Sequence, residues 1–341
     1  MHNLFVLPNG RGSILRAIAA GYLERQPSDL DNWARIIAIR LIGEHHPDVW
    51  AVTMMHTPML FNNDTESATR LYDSVIRAYP QVLENKVALY SVARVMSRCR
   101  PKEHLQAWLE KIAACSTAFS RQAYGEMLFL YHCHYQDSWS EERVTQSLTV
   151  GAGNDLLLGL AYGASNLWES TKCRTTAREI LCLLASSDDK SIHHAVADVF
   201  HCSHDDFQLN AHMKEVIQAV CRNRPLLLEA APNLVELLID YTGIEPQLVP
   251  EVCQEIIQAG GSDIGNISTS LALLAEHLTN ITLTLHRHPE YREVGLRLFE
   301  DLISLNVRET RTALELLDRK PIKTTNSPTR PRRRRKRSSK G

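Results

Sequence analysis

Residues suited to chemistry gather in two places. The first is the run Arg330-Pro331-Arg332-Arg333-Arg334-Arg335-Lys336-Arg337, seven cations in eight residues. A run of this density neutralises several phosphates and releases their counterions, giving sequence-independent, salt-sensitive binding to nucleic acid or another polyanion. It also has the composition of a nuclear localisation signal, or of a tail that folds back on acidic residues of its own chain. The second place holds His193, His194, His201, Cys202, His204, Asp205 and Asp206. These are metal-ligand types. If 189–202 is one helix, His194 and His201 share a face but stand about 10 Å apart along the axis, too far for one zinc ion with short Zn–N bonds. His201, His204 and Asp205 are spaced i, i+3, i+4 and would meet one ion on a continuing helix, the core of a metal-dependent hydrolase or nuclease. Against that alternative, Ser203-His204-Asp205-Asp206 reads as a turn in which Asp206 caps a helix from Phe207 onward. No metal, cofactor or catalytic residue is therefore assigned.

Other candidates are weaker. His132 and His134, at i and i+2, point to nearly opposite faces of a helix. His45-His46 before Pro47 reads as a helix end, where imidazolium suits the dipole. Phosphate-loop, zinc-protease, nucleophile-elbow and dinucleotide motifs are absent from the sequence. Trp33, Trp50, Trp108, Trp139 and Trp168 fall about one per expected helix, which fits core packing better than a base-stacking platform.

The charge balance frames the first candidate. The chain of 341 residues carries 38 Lys and Arg against 39 Asp and Glu, a net of −1. From Arg319 to Gly341 there are 11 basic residues and no acidic ones, leaving a body of −12. An acidic body with a basic tail points to a polyanionic partner. Eight scattered cysteines with no C-x-x-C pair fit a reducing compartment, so a cytoplasmic location is expected. The stretch nearest to a membrane span, Gly151 to Trp168, is interrupted by Asn154 and Asp155, and the start lacks a secretory pattern. No membrane partner is expected.

The elements that must position these residues are helical almost throughout. In 289–306, Tyr291, Val294, Leu298, Phe299, Leu302 and Leu305 form one apolar stripe, with Glu290, Arg292, Glu293, Arg297 and Glu300 off it. In 210–222, Met213, Val216, Ile217 and Val220 do the same. Only Leu4 to Leu7 reads as extended. Ser28 and Asp29 cap a helix to about Gly43. Pro47, Pro80 and Pro101 open further helices, and Thr65 with Glu66 opens one ending near Tyr79. Beyond Lys102 the pattern predicts helices near 103–115, 117–134, 139–149, 154–168, 171–185, 189–202, 208–223, 232–242, 247–259, 263–286, 289–305 and 308–318. Proline spacing suggests two-helix units of about 40 residues, the size of HEAT or armadillo repeats. The expected fold is all-α, an α-solenoid of HEAT-like helical hairpins over 1–320. Residues 321–341, rich in Pro, Ser, Thr, Arg and Lys, form an expected disordered basic tail.

The stretch Tyr291 to Asp318, with the compatible pattern from Trp33 to Met96, resembles the helical-repeat region that closes large bacterial ATP-binding proteins, several of which act in defence. The resemblance covers about 30–318 and departs from that family in having no ATPase module. It implies an adaptor or sensor working with a separately encoded ATPase, and it carries over no catalytic residues. The expected function is thus a non-enzymatic scaffold. A protein partner binds the solenoid surface, and Arg330, Arg332, Arg333, Arg334, Arg335, Lys336 and Arg337 bind nucleic acid or another polyanion.

Overall fold

A computed structural model describes residues 50–51, 54–55, 65–96, 102–149, 153–202, 207–264 and 274–319. Of the helices expected before Thr65, only Trp50, Ala51, Met54 and Met55 of the one opened at Pro47 are described, and they are helical; the rest, the extended segment Leu4–Leu7, Trp33, His45-His46, His204, Asp205, Asp206 and the tail lie outside the described residues. Among the described residues the regular structure is entirely helical, and no described helix is long and apolar enough to cross a membrane. The helices gather into two compact units, Met1–Tyr241 and Thr242–Gly341.

In the first unit the helices are α1 (Thr65–Ala78), α2 (Lys86–Met96), α3 (Lys102–Ala113), α4 (Ala118–Tyr135), α5 (Ser138–Thr149), α6 (Asn154–Asn166), α7 (Arg174–Leu184), α8 (Lys190–Ala197), α9 (Ala211–Cys221) and α10 (Arg224–Leu238). Two corrections concern proline. Pro80 opens a 3-10 turn, Pro80–Glu84, rather than an α-helix. Pro232 does not open a helix but lies inside α10, which starts eight residues earlier. There Asn223 caps the helix, its side chain accepting from the Leu226 N–H at 3.3 Å, and Pro225 takes a first-turn position where its missing N–H is harmless. Apolar residues on both sides of Pro232, from Leu226 to Leu238, are buried, and that packing outweighs the local preference against proline.

The unit repeats. Helices α3, α5, α7 and α9 begin at residues 102, 138, 174 and 211. Helices α4, α6, α8 and α10 begin at 118, 154, 190 and 224. The two-helix step is therefore close to 36 residues, shorter than proline spacing suggested. Each member of the second series packs on the next of its kind: α4 on α6, α6 on α8, α8 on α10. Their N-caps, Thr117, Gly153, Asp189 and Asn223, keep the same step. Polar bonds tie neighbouring repeats in register. Arg121 reaches Asp155 at 2.7 Å and Asn154 reaches Asp189 at 2.7 Å.

The tightest crossing is α4 on α6. A Cβ on Gly159 would strike the Gln122 carbonyl, one on Gly125 would strike the Leu156 carbonyl, and one on Gly163 would lie 2.9 Å from Phe129 Cβ. At Gly125 and Gly159 backbone meets backbone, so only glycine fits. Elsewhere the core is filled by large side chains. Trp108 and Tyr72 are buried with rings 5.4 Å apart. Trp50 and Trp168 are buried too, while Trp139 is half-buried, bonding Glu110 at 3.2 Å.

The second unit holds α11 (Leu248–Gly260), α12 (Leu274–Arg287), α13 (Arg292–Ser304) and α14 (Arg308–Arg319). Of the stripe read from sequence, Leu298, Phe299 and Leu302 are buried, and the charged residues off it are exposed. Pro289 precedes α13 in a turn instead of entering its first turn. Helix α12 packs on α13 and α14. Gly295 sits where a Cβ would come within 2.6 Å of the His286 backbone N, and Thr279 and Thr310 bond across at 2.9 Å.

Candidate functional site

The histidine cluster separates in the structure. The expected helix 189–202 ends at Ala197, and a 3-10 turn, Asp198–Phe200, completes it. His193 is buried; its Nε2 donates to the Ser187 carbonyl at 2.6 Å. Asn223 Nδ2 donates to the same carbonyl and to that of Ala185, each at 2.9 Å, so this histidine belongs to the joint between α7, α8 and α10. His194 is exposed and pairs with Glu229 at 3.1 Å. His201 accepts from Asn233 Nδ2 at Nδ1, 3.1 Å, which leaves the proton of the neutral ring on Nε2. Among the described residues no three His, Cys, Asp or Glu side chains converge on one metal position. His204 and Asp205 lie outside those residues. The expected cap is corrected: α9 begins at Ala211, and Asn210, not Asp206, caps it by accepting from the Met213 N–H at 3.0 Å.

His132 and His134 also diverge. His132 bonds Ser140 at 3.0 Å, and burial lowers its pKa, against nearby carboxylates that raise it. His134 is exposed, its ring packed edge-on to Tyr135. Arg330, Arg332, Arg333, Arg334, Arg335, Lys336 and Arg337 all lie outside the described residues.

What the sequence did not reveal is a cleft of about 150 Å³ beside His201. It lies where the regular repeat is interrupted. In the α4, α6, α8, α10 series the lengths are 18, 13, 8 and 15 residues. The short α8 stops early, yet α9 still starts in register. Residues at the end of α6, in the turn after α8 and at the approach to α9 line the space. Asn166, Glu169, Asp198, His201 and Gln208 bring polar groups to it, and Trp168 and Phe207 form part of its wall. Phe207 is fixed by Tyr241, whose ring lies edge-on at 5.6 Å and whose hydroxyl donates to the Phe207 carbonyl at 3.0 Å.

The electrostatics of this cleft are one-sided. Among the described residues no Lys or Arg lines it. Arg174 directs its guanidinium to the Trp168 and Glu169 carbonyls at 3.4 and 3.3 Å. Helix α6 and the 3-10 turn both end at this cleft. Burial pushes the nearby Tyr162 hydroxyl up, and the charges of Asp198 and Glu126 push it further. A second groove, of about 430 Å³ near the start of α10, mixes Asp188 with Arg222 and Arg224 and has no such bias.

With this geometry in view, comparison with known proteins finds no matching family, no matching curated protein and no matching solved structure.

Proposed function

We propose that the chain is a non-enzymatic recognition protein: an α-solenoid whose helical surface holds a protein partner, with a basic tail that attaches it to nucleic acid or another polyanion in the cytoplasm. The observation that supports this reading most is the recurrence of helix pairs every 36 residues or so through the first unit. Such units cannot bury their apolar faces alone and stack on their neighbours, leaving an extended surface that recognises without a deep pocket. The step lies between the 34 residues of tetratricopeptide repeats and the ~40–47 of HEAT repeats. The role of adaptor or sensor beside a separately encoded ATPase rests on the resemblance of Tyr291–Asp318 alone.

The test uses the full chain and a variant with Arg330, Arg332, Arg333, Arg334, Arg335, Lys336 and Arg337 changed to glutamine. Both are passed over immobilised random-sequence oligonucleotides and used as bait with and without nuclease. The expected result is nucleic-acid retention by the native chain alone, and nuclease-resistant protein partners on both baits. Equal nucleic-acid retention by the two chains refutes the tail's role, and loss of every protein partner on nuclease treatment refutes the surface's role.

A further inference from the structure

We propose that Cys133 and Cys173 are a peroxide-oxidisable pair, and that a reversible disulfide between them fastens the last turn of α4 to the start of α7.

Two observations bring the sulfurs together. The first is helix register. Helix α4 crosses α6 so closely that a Cβ on Gly163 would lie 2.9 Å from Phe129 Cβ. Cys133 follows Phe129 by four residues and stands on the same face of α4, one turn further along. Helix α6 ends at Asn166, and the chain then turns. In that turn the Ser170 N–H donates to the Leu167 carbonyl at 3.1 Å and the Cys173 N–H to the Ser170 carbonyl at 3.0 Å. Cys173 completes the turn as the N-cap of α7. The second observation is the contact itself. The Cys133 S–H donates to the Cys173 sulfur, and that bond adds to burial in pushing the Cys133 thiol up. Both cysteines are free and buried.

The oxidant is a peroxide, small enough to reach buried sulfur. The thiolate is the attacking form of cysteine. Cys133 holds its proton, so Cys173 reacts first, at a helix N-terminus where negative charge is favoured. Its sulfur attacks one peroxide oxygen. The O–O bond breaks, an S–O bond forms, and the departing hydroxide leaves as water with the Cys173 proton. The Cys133 sulfur then displaces the hydroxyl of this sulfenic acid, which takes the Cys133 proton and leaves as a second water. The two thiols lose two electrons and the peroxide gains two. Cellular thiols reverse the bond by exchange, in keeping with the transient, redox-sensing disulfides of reducing compartments. Helices α5 and α6 lie between the two cysteines. The bond therefore holds three successive repeats in register and restricts the unfolded chain. It uses neither the tail nor a protein partner, and so stands apart from the binding reading.

The test takes the full chain, reduced, freed of reductant and exposed to hydrogen peroxide under native conditions. Catalase stops the reaction, and the chain is unfolded in an alkylating reagent and digested for mass spectrometry. The expected product is a peptide pair joined through Cys133 and Cys173, absent after dithiothreitol. The oxidised chain should also unfold about 5 °C above the reduced one. Cys133→Ala and Cys173→Ala should each abolish that rise, and Cys115→Ala should keep it. Absence of the joined pair, its formation only in denaturant, or a rise that survives Cys133→Ala overturns the proposal. The mass measurement needs no variant, so it decides the matter even if a substitution impairs folding.

Discussion

Asp137 shows how one carboxylate can organise a joint. It sits in the turn between α4 and α5, where Oδ1 accepts the Ser140 N–H at 3.0 Å, capping α5. Oδ2 accepts from Tyr131 at 3.0 Å, Gln106 at 3.2 Å and Lys102 at 3.4 Å, which joins α3 to the turn. Burial works to raise its pKa, but the Ser140, Tyr131 and Lys102 bonds outweigh it and hold the carboxyl below its ordinary 3.8. A depressed folded-state pKa stabilises the fold above the unfolded value and stops doing so as pH falls through the folded value. Asp137→Asn should therefore cost about 1 kcal/mol at pH 7, where the charge-assisted bonds are present. The deficit should begin to shrink as pH drops below about 4, where the unfolded carboxylate protonates, and go on shrinking as pH falls through the lower folded value. Denaturant melts of both chains from pH 7 to pH 3 measure this; a constant deficit over that range would assign the loss to shape rather than charge. The sequence shows Asp137 only as one of many acids before a Ser, because its partners on α3 are 31 and 35 residues away.

At the scale of elements, the crossing of α4 and α6 tests whether close backbone approach sets the repeat. Gly159→Ala improves helix propensity by up to about 1 kcal/mol, yet its Cβ would collide with the Gln122 carbonyl, which has no rotamer to escape into. Overpacking of this kind costs about 1–3 kcal/mol, so a net loss of stability is expected. Gly243→Ala, with open space around it, should stay within about 0.5 kcal/mol of the native chain. Thermal melts of the two variants decide the matter, and equal midpoints would mean the helices slide apart without penalty. Stripes such as Met213, Val216, Ile217 and Val220 were legible because amphipathic spacing survives whatever the partner is. The repeat length was not. Proline is absent between Lys102 and Arg224, and the register is carried by caps of different identity: Thr117, Gly153, Asp189 and Asn223. The cleft was hidden for a related reason. A helix that stops at Ala197 instead of 202 leaves little trace in composition, since the apolar pattern runs on through Val199 and Phe200, both buried in the 3-10 turn.

For the whole molecule, the opposed charges of body and tail set how the proposed binding of nucleic acid would depend on salt. A peptide of residues 330–337 that makes six phosphate contacts on duplex DNA should lose affinity with salt at a log–log slope of about −5. The full chain brings the same cations together with a body of −12. At low salt that body repels the duplex, and added salt screens the repulsion while it weakens the tail's attraction. The two effects oppose each other, so the full chain should bind more weakly than the peptide at 50 mM salt and show a shallower slope. The two affinities should converge as the Debye length falls toward about 3 Å near 1 M. Fluorescence anisotropy of a labelled random duplex against peptide and full chain, over a salt series, gives both slopes. A full-chain slope steeper than the peptide's would reverse the argument, since it requires additional phosphate contacts from a basic patch on the helical body itself.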